Sequence, residues 1–470
     1  MHKPACLTLI CLLVAVSGCR TMPVRNAPLE SCKQEYGYRY SNIAPGENDS
    51  DSLLLILTFS GGGTRAAALA YGVLGVLRDT PIFWEGHNRR LLDETDIISS
   101  VSGGSLTAAY YGLFRDGIFD DFQERVLYRN IQGNLIRSIF SPGNIFRLLS
   151  PFYGRTDLMA DNFNRRIFDN KTYGDLLDRN TRPYIIINTT DMARGSRLGF
   201  TQGTFDLLYS DLSSYPVSHA VAASAAFPGL LAPMALVNYP KPKEFEPPAW
   251  LTVDRRDHSS IIPDDPGKYL REGRKNIYVV DGGVSDNLGL LPVILGMDGH
   301  HSDDKISTDV PGKIPKKVII ITVNAAGATK PQWELNAGLP GLIDTLLAAG
   351  TTPLGNFSQA QIGYMRQQIA YHNTLLSIKE EVKRQAYAQG VSIKIPALEL
   401  PETQYHFIEV AFDQLTCPEE RNRVSTIPTT FHLPKTDVDR VCAAAKTILE
   451  NNPDFQALLA TLQPPECDGL

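Results

Sequence analysis

The chain has 470 residues, 43 % hydrophobic and 20 % charged, enough to bury a large core as two or three domains, or as one big α/β domain with additions. A formal net charge of −6 and the lack of a basic stripe argue against a nucleic-acid binder. Neither C-x-x-C nor H-E-x-x-H spacing occurs, so neither a metal nor a cofactor is expected.

In chain order, Met1-His2-Lys3 is a short basic start. Ala5 to Val16 is apolar, too short to span a bilayer but right for a signal peptide over 1–18. It ends Val16-Ser17-Gly18-Cys19, which resembles a bacterial lipobox. That implies cleavage before Cys19, acylation of its thiol and a stable membrane anchor. Arg20, non-acidic, implies by the same resemblance the outer membrane of the cell envelope. Residues 19–50 are polar and read as a tether.

Leu53 to Leu57 with Phe59 reads as a buried strand, and Ala66 to Leu77 as a helix with Leu69, Val73 and Val76 on one face. Asp96-Ile97-Ile98 leads as a strand towards Ser102, and Ser105 to Phe114 follows as a helix. Residues 118–175 read as helical. Within them Leu135, Ile136, Ile139, Phe140, Ile145 and Phe146 are interleaved with Arg137, Arg147 and Arg155. Either this is a cap with an apolar face for lipid and arginines for phosphate, or it is ordinary core helix. Tyr184 to Asn188, Ile277 to Val280 and Val318 to Val323 are further buried strands. Strands alternating with helices imply a mainly parallel, helix-covered sheet. Residues 239–275 read as an exposed insertion and 355–389 as a long helix. His406 to Phe412 alternates like a late or edge strand, and Thr436-Asp437-Val438-Asp439 opens a last helix with a capping-box-like start.

Three small-residue groups end apolar segments: Ser60-Gly61-Gly62-Gly63-Thr64-Arg65, Ser100-Val101-Ser102-Gly103-Gly104 and Asp281-Gly282-Gly283. A serine hydroxyl is a weak nucleophile that needs a positioned base, and a sharp strand-to-helix turn exposes it. Such a turn crowds the backbone, so Gly103 and Gly104 suit it, while Ser100 stands where G-x-S-x-G has a glycine. Gly61, Gly62 and Gly63 leave amides open for a developing oxyanion, helped by the positive end of the next helix. G-x-G-x-x-G fails here and no Gly-Lys-Ser/Thr follows, which argues against a nucleotide. Arg65 either orients the loop, meets an anionic head group, or forms a salt bridge. Asp281, at a strand end, can approach the serine as its base.

Together these blocks, with Ala222-Ala223-Ser224-Ala225-Ala226-Phe227-Pro228-Gly229, resemble the patatin-like phospholipase family in order and over roughly residues 53–290. The resemblance implies an α/β fold: a three-layer α/β/α patatin-like fold with a mainly parallel central sheet. It also implies a Ser102–Asp281 dyad, oxyanion amides from Gly62 and Gly63, no metal, and a lipid substrate, most of all phospholipids. The domain map is then a signal peptide (1–18), the tether (19–50), a catalytic domain (51–330, with the 239–275 insertion) and a C-terminal helical extension (331–470) with an added strand. The competing enzyme is a Ser-Asp-His hydrolase, for which His300, His301, His372, His406 and His432 follow Asp281; His219 reads as packed at a helix end. From another class comes a lipid-binding or scaffold lipoprotein without catalysis.

Of the seven cysteines, Cys6 and Cys11 lie in the signal segment and Cys19 carries lipid. Cys32, Cys417, Cys442 and Cys467 remain, an even number that suggests disulfides in an exported chain. Pro428 and Pro434 let the chain double back between Cys417 and Cys442, which favours that pair, with Cys32–Cys467 as its companion.

Overall fold

The computed structural model describes residues 23–30, 33, 35–242, 245, 273–297, 315–327, 339, 341–390 and 402–464. The signal segment, Cys19, Cys32, Cys467, most of the 239–275 insertion and the His300-His301 pair lie outside the described residues.

Eight strands make the central sheet: β1 (Leu53–Phe59), β2 (Thr95–Val101), β3 (Tyr184–Asp191), β4 (Arg197–Phe200), β5 (Met234–Val237), β6 (Asn276–Asp281), β7 (Lys317–Asn324) and β8 (Gln404–Ala411). Their order is β8-β7-β1-β2-β3-β6-β5, with β4 on β3. The first five of that order run parallel. Every residue of β1, β2, β3 and β7 is buried, which is why their apolar stretches come as short runs and not as alternation. Helices cover both faces: α1 (Gly63–Asp79), α2 (Ser102–Phe114), α3 (Ile131–Ile139), α4 (Pro142–Leu148), α5 (Arg155–Arg166), α6 (Val217–Ser224), α7 (Leu342–Ala388), α8 (Pro418–Ser425) and α9 (Lys435–Asn451).

Several expectations need correction. The strand that carries the acid, β6, is antiparallel to β3, not parallel. The reason is its other neighbour: β5 pairs β6 antiparallel, so residues 238–275 join the two arms of a hairpin. Helices α1 and α2 begin at Gly63 and Ser102, inside the motifs, and not at Ala66 and Ser105. The chain turns already at Gly62 (φ 143°) and at Ser102 (φ 49°). The expected tether joins the body at Asn26 and again at Tyr38. The Asn26 side chain pairs with both the N–H and the carbonyl of Val237 at the free edge of β5. Tyr38 is fully buried, stacked on Tyr184, and its hydroxyl accepts from the Ile185 N–H. The last helical region starts at Lys435 with no side-chain cap, and a further helix, Pro453–Ala460, follows it.

Cys417 and Cys442 are free thiols, so the favoured disulfide is absent. Cys417 caps α8 and is exposed. Cys442 faces the other way, into the α9–α1 contact, where its S–H donates to the Ala68 carbonyl at 3.4 Å. Burial pushes that thiol up to about 12.

Helix α9 lies along α1, and the two press together at Gly72. A Cβ there would stand 2.7 Å from both the Cys442 carbonyl oxygen and Ala445 Cβ. Gly72→Val should therefore destabilise the fold by about 1–3 kcal/mol through overpacking. Gly75→Ala, whose Cβ meets nothing within 4 Å, should stabilise it by roughly 0.5–1 kcal/mol through helix propensity. Thermal unfolding of the two variants checks this; equal transitions would show that the α1–α9 contact is not close-packed.

Candidate active site

Ser102 closes β2 and opens α2 with φ at 49°. A β-carbon makes that left-handed backbone costly, and non-glycine residues hold it only where the surroundings impose it. Here the turn is held from two sides. The Ser102 N–H donates to Ser224 Oγ at 2.8 Å, and Ser224 Oγ donates to the Asn188 carbonyl at 2.6 Å. The end of α6 and the middle of β3 thus fix the elbow. Ser100 remains a strand residue, its Oγ donating to the Ile186 carbonyl at 3.2 Å. A serine in the motif's first position is therefore accommodated by the sheet.

The glycines follow from packing. A Cβ on Gly103 would collide with the carbonyl of Gly63, and one on Gly104 would lie 2.7 Å from the Ser60 carbonyl oxygen. The elbow and the Gly61–Arg65 loop therefore touch backbone to backbone.

Register brings the acid to the serine. Val101 pairs with Asn188 across β2–β3, and Asp281 pairs with Thr189 across β3–β6. The two ends thus meet at one level over β3, although β6 runs the other way. Gly282 lets the chain press onto the Asn188 carbonyl, where a Cβ would collide. The Ala222–Gly229 block clamps this turn: the Asp281 N–H donates to the Ala226 carbonyl at 3.0 Å and the Gly282 N–H to the Ser224 carbonyl at 3.1 Å. The Asp281 carboxylate accepts from the Gly283 N–H at 2.7 Å, and the Ser102 side chain lies close enough to favour its charged form. Burial pushes its pKa up to about 7, and the Gly283 amide and the nearby Ser102 only partly offset the loss of water. A carboxylate held there can take a proton near neutral pH.

The three loop glycines are not equivalent. The Gly61 N–H donates to the Asn287 carbonyl at 2.9 Å, so Gly61 is not an oxyanion donor, which corrects the sequence reading. The Thr64 N–H donates to the Thr430 carbonyl at 2.8 Å. Between them the amides of Gly62 and Gly63 make no hydrogen bond among the described residues. Gly63 is the first residue of α1, so the helix dipole adds to these two donors.

Arg65 does not reach a head group. It is buried, and its guanidinium donates to the carbonyls of Ala325 (3.0 Å) and Ile427 and to Thr429 Oγ1 (3.0 Å). No charged group acts on it; burial alone lowers its pKa to about 10. Its role is to tie the loop to β7 and to the segment before α9. None of the described histidines joins the serine and acid. His219 faces Ser218 and Asp161, His372 the Thr403 carbonyl, His406 lies on the edge strand β8, and His432 is exposed.

Sequence reasoning missed Ser224 as the partner of the elbow, Asn188 beneath it, Asn287 behind Gly61 and Thr430 against Gly63. The first and third stand inside or beside quoted motifs and could have been suspected. Thr430 lies more than three hundred residues from the loop it braces, and no local pattern marks it.

A family model of the patatin-like phospholipases matches residues 57–294. No curated protein matches the chain in sequence. Among solved structures, human GIVD cytosolic phospholipase A2 is similar at 13 % identity and TM-score 0.44, over 88 % of this chain and 60 % of that one. The same human protein in complex with methyl gamma-linolenyl fluorophosphonate gives 12 %, 0.39, 88 % and 59 %. VipD from Legionella pneumophila gives 11 %, 0.31, 89 % and 72 %. The chain thus spans about three fifths of the length of the human structures.

The raised pKa of Asp281 has a stability consequence. Between the ordinary carboxylate value and about 7, the folded protein keeps a proton that the unfolded chain has released. Stability is therefore lost as pH rises through that window. Asp281→Asn removes the buried charge and keeps an acceptor for Gly283. Its unfolding temperature should match the parent's at pH 4 and exceed it by several degrees at pH 8. A variant less stable than the parent at pH 8 would mean that the carboxylate is not desolvated.

Proposed function

The chain belongs to the patatin-like phospholipase family, a family of lipid acyl hydrolases, and we propose that it cleaves carboxylic esters of lipids, above all phospholipids, with Ser102 as nucleophile and Asp281 as its only base. The observation that carries this reading is a serine in left-handed conformation set beside a buried carboxylate and beside two amides with no other partner among the described residues. Asp281 accepts the Ser102 Oγ proton as the oxygen attacks the ester carbonyl. The tetrahedral oxyanion sits against the Gly62 and Gly63 N–H groups. On collapse the ester bond breaks and Asp281 returns the proton to the departing alcohol. Water then gives a proton to Asp281 and attacks the acyl-serine; as the acyl–oxygen bond breaks Asp281 returns that proton to Ser102 Oγ, releasing the fatty acid and the free serine.

Ser102→Ala and Asp281→Asn should each lower kcat/KM on phospholipid esters by roughly three orders of magnitude or more, and the double variant should be little worse, because the pair acts as a unit. The parent's kcat/KM should rise with pH through about 7, where Asp281 loses its proton. A fluorophosphonate probe should add its mass to the peptide containing Ser102. An Asp281→Asn enzyme with near-parental turnover would overturn the dyad.

We further propose that Cys19 is lipidated and holds the protein in the cell envelope, on the strength of Val16-Ser17-Gly18-Cys19. Cys19→Ser should abolish incorporation of labelled palmitate and leave the chain soluble or unprocessed. Membrane partition by the variant, with no label in the parent, would refute the anchor.

A further inference from the structure

Residues 131–156 form a cap whose two ends are pinned on the two loops that bracket the serine and acid. At one end the Gln132 N–H donates to the Phe431 carbonyl at 3.3 Å, next to Thr430, which braces Gly63 and Thr64. At the other the Thr156 hydroxyl donates to the Ala232 carbonyl, in the loop that follows Ala226, the acceptor of the Asp281 N–H. Between these ends α3 and α4 present apolar side chains to solvent. Phe140 is 72 % exposed, Leu149 61 %, Phe152 55 % and Ile136 49 %, with Ile145 and Phe146 also exposed. Leu230, on the loop beside Asp281, adds a further exposed side chain at 67 %. Scattered exposed apolar residues are ordinary, but large ones gathered on one short hairpin are not.

The charge of this segment is as uneven as its exposure. From Ile131 to Thr156 it holds no aspartate or glutamate and three arginines, in a chain of net charge −6. Arg147 is used internally, paired with Asp161 at 2.5 Å and stacked on Tyr153, which fastens α4 to α5. Arg137 and Arg155 are exposed, with no acidic partner among the described residues. An apolar face rimmed by unpaired cations and free of acids complements a surface that offers acyl chains below and anionic groups at its edge. A second copy docked cap to cap fits less well, since it would set arginines against arginines with no carboxylate from Ile131 to Thr156 to answer them.

We propose that the α3–α4 cap is the face by which the protein docks on an anionic lipid surface, with Phe140, Phe146 and Leu149 entering the acyl layer and Arg137 and Arg155 meeting phosphate. The proposal rests on the lipid-hydrolase reading and supplies its orientation: the cap's anchoring loops then deliver the serine and acid to the surface that holds the substrate.

The test uses the full chain carrying Ser102→Ala, so no vesicle is consumed and failure of the hydrolase reading does not touch the result. Phe146→Trp in that background is mixed with phosphatidylcholine vesicles, with or without phosphatidylglycerol, whose acyl chains carry bromine; the unsubstituted chain with its native tryptophans is the blank. The expected result is a blue shift and quenching at position 146, stronger on the anionic vesicles. Because quenching reads position 146 itself, attachment through the N-terminus does not mimic it. Phe140→Asp with Leu149→Asp should weaken this signal by about tenfold or more, since each buried side chain contributes at least that factor to partition; an unchanged thermal transition shows that the pair still folds. Emission at position 146 that ignores the vesicles, or quenching indifferent to anionic lipid, overturns the proposal. So does a blue shift that grows with protein concentration alone alongside sedimenting dimers, which would make the face a contact between copies.

Discussion

The site depends on backbone meeting backbone with no side chain between. At Gly103 against Gly63, at Gly63 against Thr430 and at Gly282 against Asn188, the space for a Cβ is already filled by main-chain atoms. Each is a hard steric limit, because neither partner can rotate away as a side chain could. The consequence is chemical. Only when the elbow seats on the loop do the Gly62 and Gly63 amides stand beside Ser102, and only when Gly282 rides over Asn188 does the β6 carboxylate reach the serine across an intervening strand. The three glycine-rich motifs are thus complementary faces of one packed unit.

Burial then sets the electrostatics, though a perturbed carboxylate does not by itself mark a site. Asp96 stands near the opposite end of β2 from Ser102, and its pKa too is pushed up to about 7 by burial. It accepts the Leu55 N–H at 3.0 Å, where the β1–β2 register shifts, and an ion pair from Arg182 at 2.5 Å. Every feature there stabilises a fixed joint. Asp281 differs in having no cation against it among the described residues; its neighbours are the Gly283 amide and the Ser102 side chain. Absence of a counter-charge keeps the proton exchangeable, and a strained serine is what gives that exchange a purpose.

Legibility in the sequence follows how local each constraint is. Buried parallel strands announce themselves as apolar runs, and the elbow, the glycine loop and the Asp-Gly-Gly turn are each set within a few residues, so Leu53–Phe59, Ser102 and Asp281 could be placed without coordinates. The direction of β6 could not, because it depends on β5 across a connection of unrevealing composition. The same holds for Gly61, whose amide is taken by Asn287: three successive glycines look alike until their partners are known. The mistaken Cys417–Cys442 pair shows the converse error. A short separation and two prolines made a loop plausible, yet the side of α9 that carries Cys442 was claimed by α1, whose close approach at Gly72 leaves that thiol facing Ala68.

The chain beyond the glycine and aspartate motifs is not an appendage to them. Strand β8 extends the sheet beside β7 over the full register from Lys317–Gln404 to Asn324–Ala411, and the segment leading to α9 supplies Ile427, Thr429 and Thr430 to the oxyanion loop. Arg65 is the bond between the two. A buried guanidinium without a carboxylate is tolerable only if oxygen acceptors take its N–H groups, and three do. Two of these come from the C-terminal segment, so loss of that segment would leave a desolvated cation under the glycine loop. Phe431, the next residue after Thr430, carries the carbonyl that receives α3. One short stretch of main chain therefore holds the oxyanion donors on one side and the root of the lipid-facing cap on the other, and the two cannot be displaced independently.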